Sequence, residues 1–393
     1  MVIGSAKIGK EAPMTATDIS RPLNILQVAS HDAIRAGGSV QMMRLAVGLQ
    51  ERGHRVVCVF NQREGGEDTF SPLRDAGIPV YRFPMQKIKK YYGMLRFRHF
   101  LATQNFDVVH AHRFRALRFV ALATRGMHIP ALVGDRKNSF PVPAAWARLY
   151  GSSKVDCIVV NARLIKDLLI QTGKVAAEKI EIIYNGVDLA QFHPALDGST
   201  VRAEFGIGPD TPLVGMIANF AGKKSHHIFF DAAVRILQDI PSTRFMLVGG
   251  GDTEVWKKWT ETHGVADRFI FTGFRTDIPQ IIASLDVSVI SSSSGEGLTG
   301  SIVEAMAMAK PVVSTAVAGN TEFVHDRETG MLVPPGDATA LARAVVYLVR
   351  NPAEAARIGR QAAEFVRDRV DNRKRSERFE SLYYDILRRK GHR

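Results

Sequence analysis

Two glutamates eight positions apart, Glu296 and Glu304, stand in the stretch DVSVISSSSGEGLTGSIVEAMAMAKPVVSTAV, residues 286–317. A carboxylate repels phosphate, but it can accept two hydroxyl protons from a sugar or ribose. The apolar run before them ends in four serines, so a buried strand gives way to a polar loop where the next helix begins. A helix start offers unpaired N–H groups and partial positive charge, which suit a diphosphate. The arrangement therefore fits a sugar or ribose held beside a diphosphate. Ser301-Ile-Val-Glu304 is also a capping box, in which each side chain would satisfy the other's backbone N–H. Both uses of Glu304 stand, whereas Glu296, among glycines and serines, is either solvated or bound to something.

Further chain segments carry groups that could complete such a site. Gly37-Gly38 follows the first strand, where absent Cβ atoms let backbone approach a ligand. The run Asp107-Val-Val-His-Ala-His112 is a buried strand whose two histidines share a face, with His112 nearer the strand's end and His110 read as a packed neutral imidazole. No Asp, Glu or Cys ligand accompanies them in the motif, Asp107 lying at the strand's other end, so no metal site is expected there. Arg136 and Lys137 follow another strand end and could face an anion, or be surface charges. Lys223-Lys224-Ser225 could place a point charge on the same phosphates as the helix at Ser301, or be a surface lysine pair. Gly37-Gly38 is not part of a GxGxxG fingerprint, and GxxxxGK[ST] occurs nowhere, which argues against a P-loop nucleotidase.

The elements that must position these groups alternate. With 393 residues, 46% hydrophobic and 23% charged, the chain suits two domains with large cores. A strand at 23–29, a helix at 39–52 capped by Ser39 and stopped by Gly53, and a strand at 55–60 make a βαβ opening. Its parallel sheet would bind ligands at the strands' C-terminal ends. Strands at 107–112, 131–136, 156–161 and 179–184 continue it. Asn185-Gly186 is a turn, and Pro194 with the polar stretch to Arg202 reads as a linker. Strands at 213–218, 244–248, 268–272, 287–291 and 311–317, with helices near 226–239, 253–264, 277–285 and 301–309, build a second unit. The expected division is a mobile extension at 1–22, domains at 23–198 and 199–372, and a helix at 373–393 that returns its apolar stripe to the first domain.

A net charge of +13 implies an anionic partner. The segment 85–104 mixes Lys87, Lys89, Lys90, Arg96 and Arg98 with tyrosines and apolar residues, which fits an anionic membrane surface. It fits a solvated helix face over ordinary core somewhat better, being a single stretch. Cys58 and Cys157 lie in apolar runs and read as reduced core residues. No run approaches the ~20 apolar residues of a membrane span, and no signal-peptide core is present, so a cytoplasmic protein is expected, peripheral on the inner membrane face if the basic segment docks there. Nucleic acid is not an expected partner, for no RNP-like or zinc-finger pattern occurs.

From Leu23 to about Leu387 the chain resembles the retaining glycosyltransferases of family 4. The resemblance is carried by Glu296-Gly, Ile302-Val-Glu304-Ala-Met-Ala and Lys310-Pro-Val-Val, which are similar to that family's E-x7-E motif. RGHRV at 52–56, DVVHAH at 107–112, YNGVD at 184–188 and TGMLVPPGD at 329–337 follow in order. It implies the GT-B arrangement, an α/β fold of two doubly wound Rossmann-like domains facing across a cleft. Glu304 would then bind the ribose of a nucleotide-sugar and Glu296 the donor sugar. Gly37 and Gly38 would approach the diphosphate, and His112 would hold the sugar. Lys224 matches the phosphate-binding lysine, and Asn219, Gly297, Leu298 and Thr299 fall in donor-binding positions. Asn219 stands where that family usually has arginine, so either Lys223, Arg136 or a neighbour supplies the missing positive charge or activity is reduced.

The function implied is retaining transfer of a hexosyl unit from a UDP- or GDP-linked donor to a saccharide or lipid-linked glycan, in polysaccharide or lipopolysaccharide synthesis. Lacking a DxD-type carboxylate pair, it would need no metal or other cofactor. Closure about the linker near Pro194 and the last helix would gate the reaction. The alternatives are a nucleotide-sugar epimerase of the same fold and a catalytically weak anion-binding protein.

Overall fold

The computed structural model describes residues 21–35, 37–63 and 69–391, so the first twenty positions of the expected extension lie outside the described residues. The last two do not hang free. Arg21 Nη2 lies 2.7 Å from Asp107 Oδ1, and the Tyr384 hydroxyl donates to the Arg21 carbonyl.

Strands β1 (Asn24–Ala29), β2 (Arg55–Asn61), β3 (Val80–Phe83), β4 (Val108–His112), β5 (Ala131–Arg136), β6 (Cys157–Val160) and β7 (Ile180–Ile182) form one parallel sheet in the order β3-β2-β1-β4-β5-β6-β7. A second parallel sheet runs β10-β9-β8-β11-β12-β13, from β8 (Leu213–Ile217), β9 (Arg244–Val248), β10 (Phe269–Gly273), β11 (Val287–Ile290), β12 (Val312–Thr315) and β13 (Met331–Val333). Helices cover both faces, which is why the strands are apolar on both sides: Ile25, Leu26, Val28 and Ala29 are all fully buried. Strand order reverses between β1 and β4 in the first sheet and between β8 and β11 in the second. Open α/β sheets bind ligands at such reversals, beyond the strands' C-terminal ends. The strand ends and the segments that follow them carry Gly37-Gly38 and His112 on one side, and Lys223-Lys224 and Glu296 on the other.

The helix Asn372–Arg389 closes the first domain, although it follows the second in the chain. Phe379, Leu382, Tyr383, Ile386 and Leu387 join Ile25, Val56, Met42 and Leu45 in one core. Each fully buried side chain of this kind contributes on the order of 2 kcal/mol. The approach to the helix Gly37–Glu51 is close, since a Cβ on Gly48 would stand 2.2 Å from Ser376 Oγ. The preceding helix, Pro352–Val370, keeps Ala362 and Val366 in the second domain's core. The chain thus crosses between domains twice, and the two crossings are bonded together. Val187 N–H donates to Val370 O at 2.7 Å and Asn372 N–H to Val187 O at 3.0 Å.

Several expectations from sequence shift. The first helix begins at Gly37, so Ser39 is buried in its first turn and is not the cap. Ser199–Glu204, read as linker, is a helix with Val201 in the second domain's core. Strands β3 and β13, four and three residues long, were not anticipated. Both cysteines are free and buried, and burial pushes their thiols up. Among the described residues no helix is long and apolar enough to cross a membrane.

Candidate active site

The helix Gly37–Glu51 opens onto the interdomain cleft with its N-terminal amides, and its next turns tie the domains together. Gly38 is tightly placed, because a Cβ there would stand 3.2 Å from His31 Cε1. Gln41 Nε2 donates to Gly186 O at 2.9 Å, and Gly186 N–H donates back to Gln41 Oε1 at 2.8 Å. Arg44 Nη1 donates to Gly186 O at 3.0 Å and to Glu304 Oε1 at 2.8 Å. Glu304 therefore reaches across the cleft to a cation of the other domain. The capping box does not form: the helix Gly300–Ala307 follows Thr299, whose side chain makes no cap bond, and Ser301 lies inside the helix.

At the end of β4 the two histidines converge on a residue not foreseen, Asp135 of β5. His110 Nε2 is 2.8 Å from Asp135 Oδ1, and His112 Nδ1 is 2.8 Å from Oδ2. His110 Nδ1 meets the Tyr383 hydroxyl at 2.7 Å, and His112 Nε2 meets the Gln27 carboxamide. Burial, reinforced by His110, lowers the His112 pKa to about 3, so its imidazole is neutral. Burial also opposes the charge on Asp135. Lys137, whose Nζ lies 2.7 Å from Oδ2, outweighs it together with the histidines and holds the carboxyl well below its ordinary range. His110, His112 and Asp135 present ligand atoms within 4.8 Å of one another, a spacing a metal could use. The ammonium of Lys137 already supplies the positive charge there. The signal in the sequence was an acid following the apolar run of a buried strand, ALVGDR.

Lys137 is thus engaged with Asp135 and is not an open anion contact. Arg136 differs. It is 2% exposed, donates to the Phe140 carbonyl and stands beside the buried Tyr150 hydroxyl.

In the second domain, Lys223 Nζ and Lys224 Nζ lie 3.0 and 3.2 Å from Glu296 Oε1. Burial lowers the pKa of Lys224, with Glu296 opposing the shift. Asn219 turns to its own domain, its Oδ1 accepting from Gly250 N–H at 3.0 Å. The loop behind Glu296 is seated by the first domain. Asn185 Nδ2 donates to Leu298 O at 2.7 Å and Asn161 Nδ2 to the same oxygen at 3.3 Å. Thr299 N–H donates to Asn320 Oδ1 at 3.2 Å.

Gly297 is required for this seat, since a Cβ would stand 2.2 Å from Asn161 Oδ1. Gly297→Ala is expected to destabilise the protein by about 1–3 kcal/mol through overpacking, read as a lower urea midpoint. An unchanged midpoint would show that the loop is free to shift.

All these candidates, Gly37, Gly38, His112, Arg136, Lys137, Asn219, Lys224, Glu296, Gly297, Leu298, Thr299 and Glu304, line one cleft of about 1980 Å³ between the domains. Arg44, Asp135, Asn161 and Asn185 line it as well, and the sequence reading did not place them there. Two helix N-termini, at Gly37 and Gly300, open onto this space from opposite sides. Such an arrangement can hold an anionic ligand between the domains and hydrogen-bond hydroxyl groups beside it.

Comparison with known proteins agrees with this architecture. Residues 35–191 match the model of Glycosyltransferase Family 4, and residues 211–351 that of Glycosyl transferases group 1. The chain is 23% identical to the Escherichia coli UDP-Gal:alpha-D-GlcNAc-diphosphoundecaprenol alpha-1,3-galactosyltransferase over 328 residues, 79% of this chain and 83% of that one. It is 29% identical to the lipopolysaccharide core biosynthesis glycosyltransferase LpsE of Rhizobium meliloti over 231 residues, 58% of this chain and 63% of that one. The crystal structure of Anabaena HepE in complex with UDP-glucose superposes with a TM-score of 0.80 at 22% identity, covering 92% of this chain and all of that one. With one matched model on each of two facing Rossmann-like domains, the chain belongs to the GT-B glycosyltransferases.

Proposed function

We propose that the protein transfers a hexosyl unit, with retention of anomeric configuration, from a UDP- or GDP-linked donor to a saccharide or lipid-linked glycan acceptor. The observation that carries this is the convergence of Lys224, Glu296, Glu304 and the helix start at Gly300 on one cleft wall, opposite the helix start at Gly37. Breaking the bond between sugar and diphosphate leaves negative charge on the phosphate. Lys224, Lys223 and the two helix N-termini would stabilise it in a site shielded from water. Arg136, a buried guanidinium on the cleft wall beside Tyr150, is the group we assign to supply the cation missing at Asn219. Glu304 would take the ribose hydroxyls and Glu296 the sugar hydroxyls. His112, held by Asp135 at Nδ1, would accept a sugar hydroxyl at Nε2 by giving up its contact with Gln27. Cationic side chains and helix dipoles would do the work of a metal, so turnover should survive chelation. A role in polysaccharide or lipopolysaccharide synthesis is supported by the names of the relatives above.

A panel of nucleotide-sugars, scored by thermal stabilisation and by hydrolysis or transfer with and without EDTA, tests the reading. One donor class should raise Tm, and the Glu304→Ala variant should lose that stabilisation. If no nucleotide-sugar stabilises the wild type, the proposal fails. An acceptor-free incubation that isomerises the donor would assign the cleft to epimerisation instead.

A further inference from the structure

The turn and helix over residues 87–102 bury one apolar face and leave another open. Gly93, Phe97 and Leu101 of the helix Lys90–Ala102 are buried. Phe97 packs on Phe83 and Phe119, and Gly93 lies so near the Pro84 carbonyl that a Cβ could not fit. This inner face is the ordinary core expected from sequence. It fixes the helix so that Ile88, Tyr91, Tyr92 and Leu95 point outward, 83%, 60%, 61% and 69% exposed. Their spacing of three, four and seven makes one stripe. A merely solvated face would not collect four large apolar or aromatic side chains.

Cations surround the stripe. Lys87, Lys89 and Arg96 are exposed, Lys90 Nζ lies 5.0 Å from the Tyr91 ring centroid, and Arg96 Cζ lies 5.7 Å from that of Tyr92. No acidic residue occurs anywhere in 85–104. A second copy docking face to face would set lysines against lysines. An interface of anionic headgroups would meet cations, tyrosine hydroxyls and apolar tips in the order it presents phosphate and acyl chain.

The patch also sits at the functional end of the domain. In a parallel sheet the helix starts lie at the strands' C-terminal ends. β3 ends at Phe83 just before the patch, as β4 ends at His112 before the helix Phe114–Ala123, whose first turns line the cleft. The two helices pack side by side through Phe97 and Phe119, whose ring centroids are 5.2 Å apart.

We propose that Ile88, Tyr91, Tyr92 and Leu95, ringed by Lys87, Lys89, Lys90 and Arg96, dock the first domain on an anionic phospholipid surface. This would set the cleft mouth beside the membrane, where a lipid-linked acceptor could reach it. The docking stands on this geometry alone, and the delivery of acceptor rests on the transferase reading above.

The test is co-sedimentation of the full chain with phosphatidylcholine vesicles, with and without phosphatidylglycerol, at low and high salt. Binding should require the anionic lipid and weaken with salt. Lys87→Glu/Lys90→Glu/Arg96→Glu should lower it by roughly 100-fold or more. Ile88→Ser/Leu95→Ser should lower it by at least about tenfold while keeping the charges. Both variants should keep the wild-type Tm, since every altered side chain lies outside the core. Equal binding to neutral vesicles, or variants that bind as the wild type does, would overturn the proposal. So would a dimer in sedimentation equilibrium that both variants dissolve, which would assign the stripe to a second copy. Vesicle binding needs neither donor nor acceptor. A protein that binds vesicles but no nucleotide-sugar would sink the transferase reading alone, and the reverse result would sink only the docking.

Discussion

Lys224→Ala is expected to reduce kcat by about 10²–10³-fold, the usual cost of removing one group that stabilises charge developing in a transition state. Lys224 is suited to this role by its surroundings. Its side chain is 14% exposed, it follows β8 at the strand-order reversal, and it lies 3.2 Å from Glu296. An ammonium held in a partly dehydrated site acts on a departing phosphate with little screening. Lys223 is 41% exposed, so Lys223→Ala should cost markedly less. KM for the donor should rise less than kcat falls in Lys224→Ala, because the charge on the leaving phosphate is larger in the transition state than in the bound donor. Steady-state kinetics on the purified variants decides this. Wild-type kcat in Lys224→Ala would remove the residue from the mechanism.

Asp135→Asn should be the more damaging change to the fold. It keeps the shape of the side chain but removes the charge that Lys137 faces at 2.7 Å, leaving a buried ammonium uncompensated, and it disturbs the acceptor shared by His110 and His112. Breaking such a pair costs about 3–5 kcal/mol, measurable as a lower urea midpoint. Lys137→Met in the same chain should restore most of that loss, because the two changes act on one interaction. Strict additivity of the two single variants would show that the pair is not coupled. The depressed Asp135 pKa gives the stabilisation a sign: it is present above the ordinary carboxylate range and is lost as pH falls through the folded value.

The alternating elements were legible because buried parallel strands are continuous apolar runs bounded by turns, and all strands but β3 and β13 were found. The cleft loops were legible too, since Gly37-Gly38, Lys224 and the pair Glu296 and Glu304 lie where parallel-sheet geometry puts ligands. What could not be read was pairing across the chain. Arg44 and Glu304 are 260 positions apart, and no local pattern announces their contact. The local rule that did apply to Glu304, the capping box, pointed to the wrong partner. Asp135 carried a weaker clue, because a carboxylate inside an apolar strand must find a counter-charge or hydrogen bonds, yet nothing nearby says which. The segment 85–104 was ambiguous for another reason: apolar residues on two faces of one helix look like one broad stripe until packing shows which side is covered.

The two domain crossings at Val187 and Asp371 run alongside each other and share backbone hydrogen bonds. Two covalent threads knotted at one place leave the lobes little liberty to slide or drift apart, and while those bonds persist the natural relative movement is a swivel about that axle. The final helix travels with the first lobe, so cutting the chain near Asp371 would loosen the axle and leave Phe379 and Tyr383 plugging a core to which their backbone was no longer attached.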